Sequence, residues 1–187
     1  MLIGITGSIG LLAMPMYLNA FRLFVAREID LIVTRSAERM IPRSTWAILG
    51  NSVTCESDPP APEHVSLPAG ADLFLVAPAT ANVLGAAAHG LGPSVLTSAV
   101  LASPGPVVFV PNMNRVMWEK PAVQRNIRVL REDGHQVVEP NHGFAFEVAT
   151  RRFERHYTLP APEELTSTLR AIIAERGDGS RRNAHMG

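Results

Sequence analysis

Four short stretches carry residue types that can do chemistry, at spacings a plain scaffold does not need. The octapeptide Pro-Asn-Met-Asn-Arg-Val-Met-Trp, residues 111–118, directly follows the apolar run PVVFV (106–110). A tight turn needs Gly, Asn or Asp, but it has no use for Met113, Met117 and Trp118. PATAN (78–82) follows a second apolar run, DLFLVAP (72–78). GITGSIG (4–10) places Thr6, Gly7 and Ser8 after a third, where hydroxyls and free amides at a helix start suit an anion. His64 stands fourteen positions before Pro78, and imidazole is the side chain whose ordinary titration range suits acid–base work near neutrality.

The elements that must position these residues follow from the apolar pattern. LIGIT (2–6), DLIVT (30–34), DLFLVAP (72–78), PVVFV (106–110) and GHQVVEP (134–140) read as five strands. Helical stretches are expected up to about Arg27, near 43–50, over TANVLGAAAHG, at 94–103, at 121–133 and at 160–177. The Pro-rich segment ESDPPAPEHVSL, with His64 in it, reads as a polar loop. Strands alternating with helices imply a parallel sheet covered on both faces. In such sheets ligands sit at the carboxyl ends of the strands, which is where TGS, TRSA, PATAN and PNMN fall.

The totals exclude several classes. At 187 residues one domain is expected, here 1–176, with 177–187 as a flexible tail. Basic and acidic residues number 17 each, so charge gives no reason to expect nucleic acid or an anionic membrane. The single cysteine, Cys55, excludes intrachain disulfides and cysteine-rich metal sites, and the histidines lack metal spacing. The single lysine, Lys120, sits in an exposed-looking EKP and is set aside for Schiff-base chemistry. No run reaches eighteen uninterrupted apolar residues, so no membrane span is expected, and the cytoplasm is the expected location.

The glycines at 4, 7 and 10 match neither the dinucleotide fingerprint nor a P-loop. The second strand ends in Thr34-Arg35-Ser36, with no acid placed to grip a ribose diol. Hydroxyls and an arginine suit a phosphate, although Ser8 and Ser36 would serve equally as ordinary helix caps. A flavin or nucleotide phosphate fits this set, and Arg35 keeps an NADP-binding reductase open.

Taken together, His64, PATAN and PNMNRVMW resemble the flavin-dependent cysteine decarboxylases. That family holds lantibiotic peptidyl-cysteine decarboxylases, phosphopantothenoylcysteine decarboxylases and certain plant flavoproteins. Its signatures are a histidine, P-A-S-A-N-T and P-x-M-N-x-x-M-W, in that order. The last is matched in full, and the middle one carries Thr80 for Ser and Val83 for Thr. Two departures are Gly92-Pro93-Ser94, where relatives often carry Asp, and Pro15, near which many place Asn or Lys. The resemblance spans roughly residues 2 to 160 and implies a three-layer Rossmann-like (flavodoxin-like) α/β fold.

The resemblance implies roles. His64 is the expected base and Asn114 the grip on a peptide's terminal carboxylate. Met117, Asn82 and Phe146 would complete substrate binding, with Trp118 buttressing the loop. Gly7, Ser8, Ile9, Thr34, Ser36, Pro78, Ala79, Thr80, Asn82 and Met113 would hold the flavin, expected to be FMN with FAD as the alternative. No metal is implied. A substrate-clamping hairpin is expected at about 143–158, and the assembly would be a homotrimer or homododecamer. Phosphopantothenoylcysteine decarboxylases carry a downstream cysteine that returns electrons from the reduced flavin. EPNHGFAFEVATRRFERHYTLP lacks one, which favours the peptidyl-cysteine branch, with a C-terminal cysteine of a precursor peptide as substrate and a ring-forming cyclase as partner. The rival readings are coenzyme A biosynthesis and a non-catalytic flavin-binding subunit.

Overall fold

A computed structural model describes the backbone of residues 1–59, 62–147 and 151–184, and within them all side chains but 63, 145–147, 155, 156 and 177–184. The chain runs β1 (Leu2–Ile5), a 3-10 turn (Ile9–Ala13), α1 (Met14–Phe24), β2 (Asp30–Val33), α2 (Arg35–Met40), α3 (Arg43–Leu49) and β3 (Ser52–Cys55). It continues with α4 (Glu63–Ala69), β4 (Phe74–Ala79), α5 (Ala81–Ala88), α6 (Val95–Ala102), β5 (Val107–Pro111) and α7 (Arg115–Trp118). The last elements are α8 (Pro121–Glu132), β6 (Gln136–Val137), β7 (Asn141–Glu147), β8 (Arg152–Thr158) and α9 (Pro162–Ala184).

Strands β1 to β6 form one parallel sheet in the order β3-β2-β1-β4-β5-β6, a Rossmann-like, flavodoxin-like architecture. The sheet is covered on both faces because alternate residues of each apolar strand point opposite ways. Ile3, Leu31, Leu75 and Val108 enter one core with Phe21 of α1, Trp46 of α3 and Leu169 of α9. Leu2, Ile32, Val76 and Phe109 enter the other with Leu84 of α5, Leu96 of α6 and Leu130 of α8. Each such side chain contributes roughly 1.5–3 kcal/mol of burial, so the central strands are fixed in register before any site chemistry is considered.

Gly4 leaves room for one of these side chains: a Cβ there would run into Leu96 Cδ1 of α6.

The structure departs from the sequence reading in four places. A sixth parallel strand, β3, lies between the helix expected near 43–50 and the expected polar loop, where Ser-Val-Thr-Cys at a sheet edge buries only Cys55 fully. The expected polar loop around His64 contains α4, which packs on α6, with partly buried Leu67 against the second core. The strand expected over 134–140 shrinks to Gln136–Val137. Helix α9 runs on to Ala184, into the segment expected as a tail from 177. The hairpin β7–β8 is antiparallel and separate from the main sheet, pairing Asn141 with Thr158 through Glu147 with Arg152.

Candidate active site

The strand order reverses between β1 and β4, and the crevice outside their carboxyl ends is where doubly wound sheets bind ligands. Thr6 closes the base of that crevice. Its buried hydroxyl donates to the Pro78 carbonyl at 2.6 Å and accepts the Thr80 amide at 3.1 Å, locking the end of β1 to the end of β4. Above it lies a cleft of about 510 Å³. Gly7, Thr34, Ser36, Thr80 and Asn82 line it, as the sequence reading expects, and so do Arg35, Arg39, Glu56, Val83, Pro93 and Ser94.

This lining is rich in donors. Thr80 caps α5 and Ser94 caps α6, the latter in a capping box with Thr97, so two helix N-termini face the cleft. Gly7 must be a glycine for the walls to meet: a Cβ there would lie 2.7 Å from both Cβ and Oγ of Ser36. Thr34 Oγ1 donates to the Ile5 carbonyl at 3.2 Å and lies 3.3 Å from Ser36 Oγ.

One wall was not foreseen. In the β2–β3 register Val33 faces Cys55, which sets Glu56 beside Thr34. Glu56 Oε2 accepts the Arg35 amide at 2.9 Å, while Oε1 is buried with no hydrogen-bond partner. A buried acceptor without a donor is costly, and a ligand hydroxyl would relieve it. Hydroxyl and amide donors, two guanidiniums, a close glycine cradle and an unsatisfied carboxylate oxygen fit a phosphorylated, polyhydroxylated group such as a flavin nucleotide.

The loop leaving β5 is tied to the first loop. Asn112 Oδ1 accepts the Ser8 hydroxyl at 2.9 Å and the Gly10 amide at 3.0 Å, and the Asn112 amide donates to the Ala79 carbonyl. Ser8 thus spends its hydroxyl proton on Asn112 and stands outside the cleft lining. Ile9 is exposed, Pro78 and Ala79 are buried in β4, and Met113 packs against the second core. Asn114 caps α7, its Oδ1 accepting the Val116 amide at 2.8 Å, so that bond fixes the plane of an amide whose NH₂ is its donating half.

A second cavity of about 700 Å³ opens between α7 and the hairpin, lined by Arg115, Glu119, His142, Phe144, Glu154 and Tyr157 among others. Trp118 is buried at 6% exposure with its ring 5.7 Å from Tyr157, which in turn meets the His142 ring at 4.7 Å in a tilted contact. Trp118 therefore buttresses the hairpin. Met117 is 46% exposed on α7, and the side chain of Phe146 lies outside the described residues.

Similarity to known proteins follows the same residues. A family model described as Flavoprotein matches residues 1–155. The mersacidin decarboxylase of a Bacillus species is 38% identical over 178 residues, 94% of this chain and 91% of that protein. The chain is a member of the flavoprotein family, a flavin-dependent peptidyl-cysteine decarboxylase of the lantibiotic type. The solved structure of MrsD from a Bacillus species superposes with a TM-score of 0.81 at 35% identity, covering 92% of this chain and 94% of that one. SpaF, described as an FMN-dependent cysteine decarboxylase, gives 0.75 at 34% identity, covering 92% and 95%. The bifunctional coenzyme A biosynthesis protein of Bacillus subtilis is 39% identical over 122 residues, 63% of this chain but only 30% of that protein.

Within this decarboxylase His64 occupies the first turn of α4, half-buried, and lines neither cavity. The structure brings together the cleft residues and the Asn114 loop, but it does not place His64 in those cavities of a single chain. Cys55, the lone thiol, is buried on the edge strand β3 with its pKa raised to about 11, chiefly by burial and then by Glu38. Among the described residues no cluster of three His, Cys, Asp or Glu could hold a metal, and no helix is long and apolar enough to cross a membrane.

Proposed function

We propose that the enzyme oxidatively decarboxylates the C-terminal cysteine of a ribosomally made precursor peptide. The product is an enethiol, which a cyclase joins into an aminovinyl-cysteine ring of a lantibiotic-like product. One observation carries the reading. The loop leaving β5 is tied by Asn112 to the first loop of the cleft and continues into α7, a wall of the hairpin cavity, with Asn114 between the two.

An ordinary cysteine carboxylate does not leave, because the electrons of the breaking bond have no acceptor. A flavin held in the cleft would supply two-electron oxidation of the Cβ–SH unit to a thioaldehyde, whose C=S group is that acceptor. His64 takes the thiol proton. The Cα–carboxylate bond then breaks, its electron pair moves into the C=S group, and the resulting enethiolate is protonated. Asn114 holds the carboxylate by its NH₂, orienting it without the full ion pairing that would oppose loss of CO₂. Met117 forms an apolar wall, and Asn82 bonds the flavin or the peptide backbone.

Gly7, Thr34, Ser36, Thr80 and Asn82 hold the flavin phosphate from the cleft wall, with Ile9, Pro78, Ala79 and Met113 around the rest of the cofactor and Ser8 supporting through Asn112. FMN answers to this phosphate seat alone, and the choice against FAD turns on what lies beyond it. The working unit is a homotrimer or homododecamer in the cytoplasm, in which a second copy brings His64 to the Asn114 loop. Exposed Ile9, Leu12 and Met16 on the first turns give such an assembly apolar surface to bury.

Short peptides ending in cysteine, mixed with the flavin-loaded enzyme, should lose about 46 Da, CO₂ plus two hydrogens. A loss of about 44 Da would mean that the electrons return to the product and would favour the coenzyme A branch. Peptides with a C-terminal amide should not react; equal turnover of acid and amide refutes the role of Asn114. Replacing His64 with Asn should leave flavin bound and cut turnover by about 10²–10⁴-fold.

A further inference from the structure

The cavity between α7 and the hairpin is walled by charge as well as by rings. We infer that Arg115 selects precursor peptides that carry an acidic residue a few positions before the terminal cysteine; the inference rests on the peptide reading above.

Place gives the first reason. Arg115 directly follows Asn114 and lines the cavity of about 700 Å³ opposite His142, Phe144 and Tyr157 of the hairpin. A peptide whose carboxylate sits at Asn114 and whose preceding residues enter that cavity passes this side chain. An extended chain advances only about 3.3–3.6 Å per residue, so the residue met lies close to the cysteine.

The hydrogen-bond donors give the second. Arg115 Nη1 lies 3.4 Å from both Oε1 and Oε2 of Glu119, so the carboxylate turns both oxygens on one nitrogen. A guanidinium spreads its N–H donors over three nitrogens, and this contact engages Nη1 alone. The pair is also weak. Its side chains are 55% and 46% exposed, and Arg before Glu at this helical spacing is the poorer order. An incoming carboxylate can therefore take the remaining edge of the guanidinium. The other carboxylate of the wall, Glu154, has a partner of its own.

The surrounding charge gives the third. The whole chain is neutral, yet the stretch from Arg115 to the end of α8 carries five exposed cations, Lys120, Arg125 and Arg128 among them, against Glu119 and Glu132. Lys120, Arg125 and Arg128 enter none of the ion pairs among the described residues. A field of this sign draws an acidic peptide and opposes a basic one.

Short peptides ending in cysteine, with Glu, Gln or Lys at each of the four preceding positions, test this on the flavin-loaded enzyme through the peptide mass change. At one position Glu should lower KM about fivefold relative to Gln, with Lys raising it and kcat little changed. Added salt should shrink the difference. Arg115 and Glu119 are exposed, so the fold tolerates their substitution. In Arg115→Gln the Glu and Gln peptides should share one KM, and Arg115→Glu should turn the preference to Lys. Glu119→Gln, which releases Nη1, should widen the preference for Glu. Equal KM for Glu and Gln at every position, or a preference that survives in Arg115→Gln, overturns the inference and leaves the peptide reading standing. No mass change on any of the peptides overturns both.

Discussion

Asn112 accepts the Ser8 hydroxyl at 2.9 Å across 104 residues of chain, and the Gly10 amide at 3.0 Å with the same oxygen. One side chain therefore fixes the first loop against the end of β5. Asn112→Ala strands a hydroxyl and an amide at a position only 9% exposed, so a loss of about 2–3 kcal/mol is expected, with weaker flavin retention. Asn112→Asp keeps the acceptor and should recover most of the stability. Urea unfolding of the three proteins checks this; an alanine variant as stable as the parent would mean that the two bonds contribute nothing.

Cys55 should be chemically silent. Burial is the main cause holding its pKa at about 11, so at neutral pH it is a thiol shielded at 1% exposure. A maleimide should label the native protein slowly and the urea-unfolded protein fast. Cys55→Ala should leave the mass change on the peptide as it is. A parent loss of about 44 Da that becomes about 46 Da in that variant would make Cys55 the returning cysteine after all. The raised pKa also has a sign: the folded state keeps a proton that the unfolded state gives up near its ordinary value of 9.0, so this contribution is intact below pH 9 and is lost as pH rises towards 11.

The central strands were legible because each is an uninterrupted apolar run buried on both faces, as in Leu31–Val33 and Val107–Val110. The strand-end residues followed from them. Ser52–Cys55 was not legible, since an edge strand need not be apolar and Ser52 is exposed. Missing β3 hid Glu56 as well, because its place beside Thr34 is a matter of lateral register and not of order along the chain. The Asn112–Ser8 bond was hidden for the same reason at longer range. The hairpin was expected from the resemblance, because Phe144 and Phe153 are exposed and no buried face marks its two strands.

His135 should govern part of the acid stability. Burial lowers its pKa below the ordinary 6.5, outweighing the opposing pull of Asp133, and its Nδ1 accepts the Val107 amide at 3.1 Å. The unfolded chain therefore binds a proton near pH 6.5 that the folded chain resists. This contribution is complete above pH 6.5 and falls away as pH drops through that value towards the lowered one. His135→Asn retains an acceptor for Val107 and cannot titrate. Its unfolding free energy should fall less steeply between pH 7 and pH 5 than the parent's, within about that window. Parallel curves would remove His135 from the account.

Tyr157 joins the hairpin to the Asn114 loop. Its ring lies 5.7 Å from Trp118 and 4.7 Å from His142, and the Trp118 carbonyl is fixed in turn by Gln124 Nε2 at 2.7 Å. His142 and Tyr157 are register partners, so their rings share the hairpin face that meets α7. An aromatic contact of this kind contributes about 0.5–1.5 kcal/mol, which converts to a change of about 2–12-fold. Tyr157→Leu should raise the KM for a cysteine-ending peptide by that factor, with kcat and flavin content little changed. Tyr157→Phe, which keeps the ring, should behave like the parent. A variant with lowered kcat and unchanged KM would show that the ring acts on the reacting atoms, not on docking of the peptide.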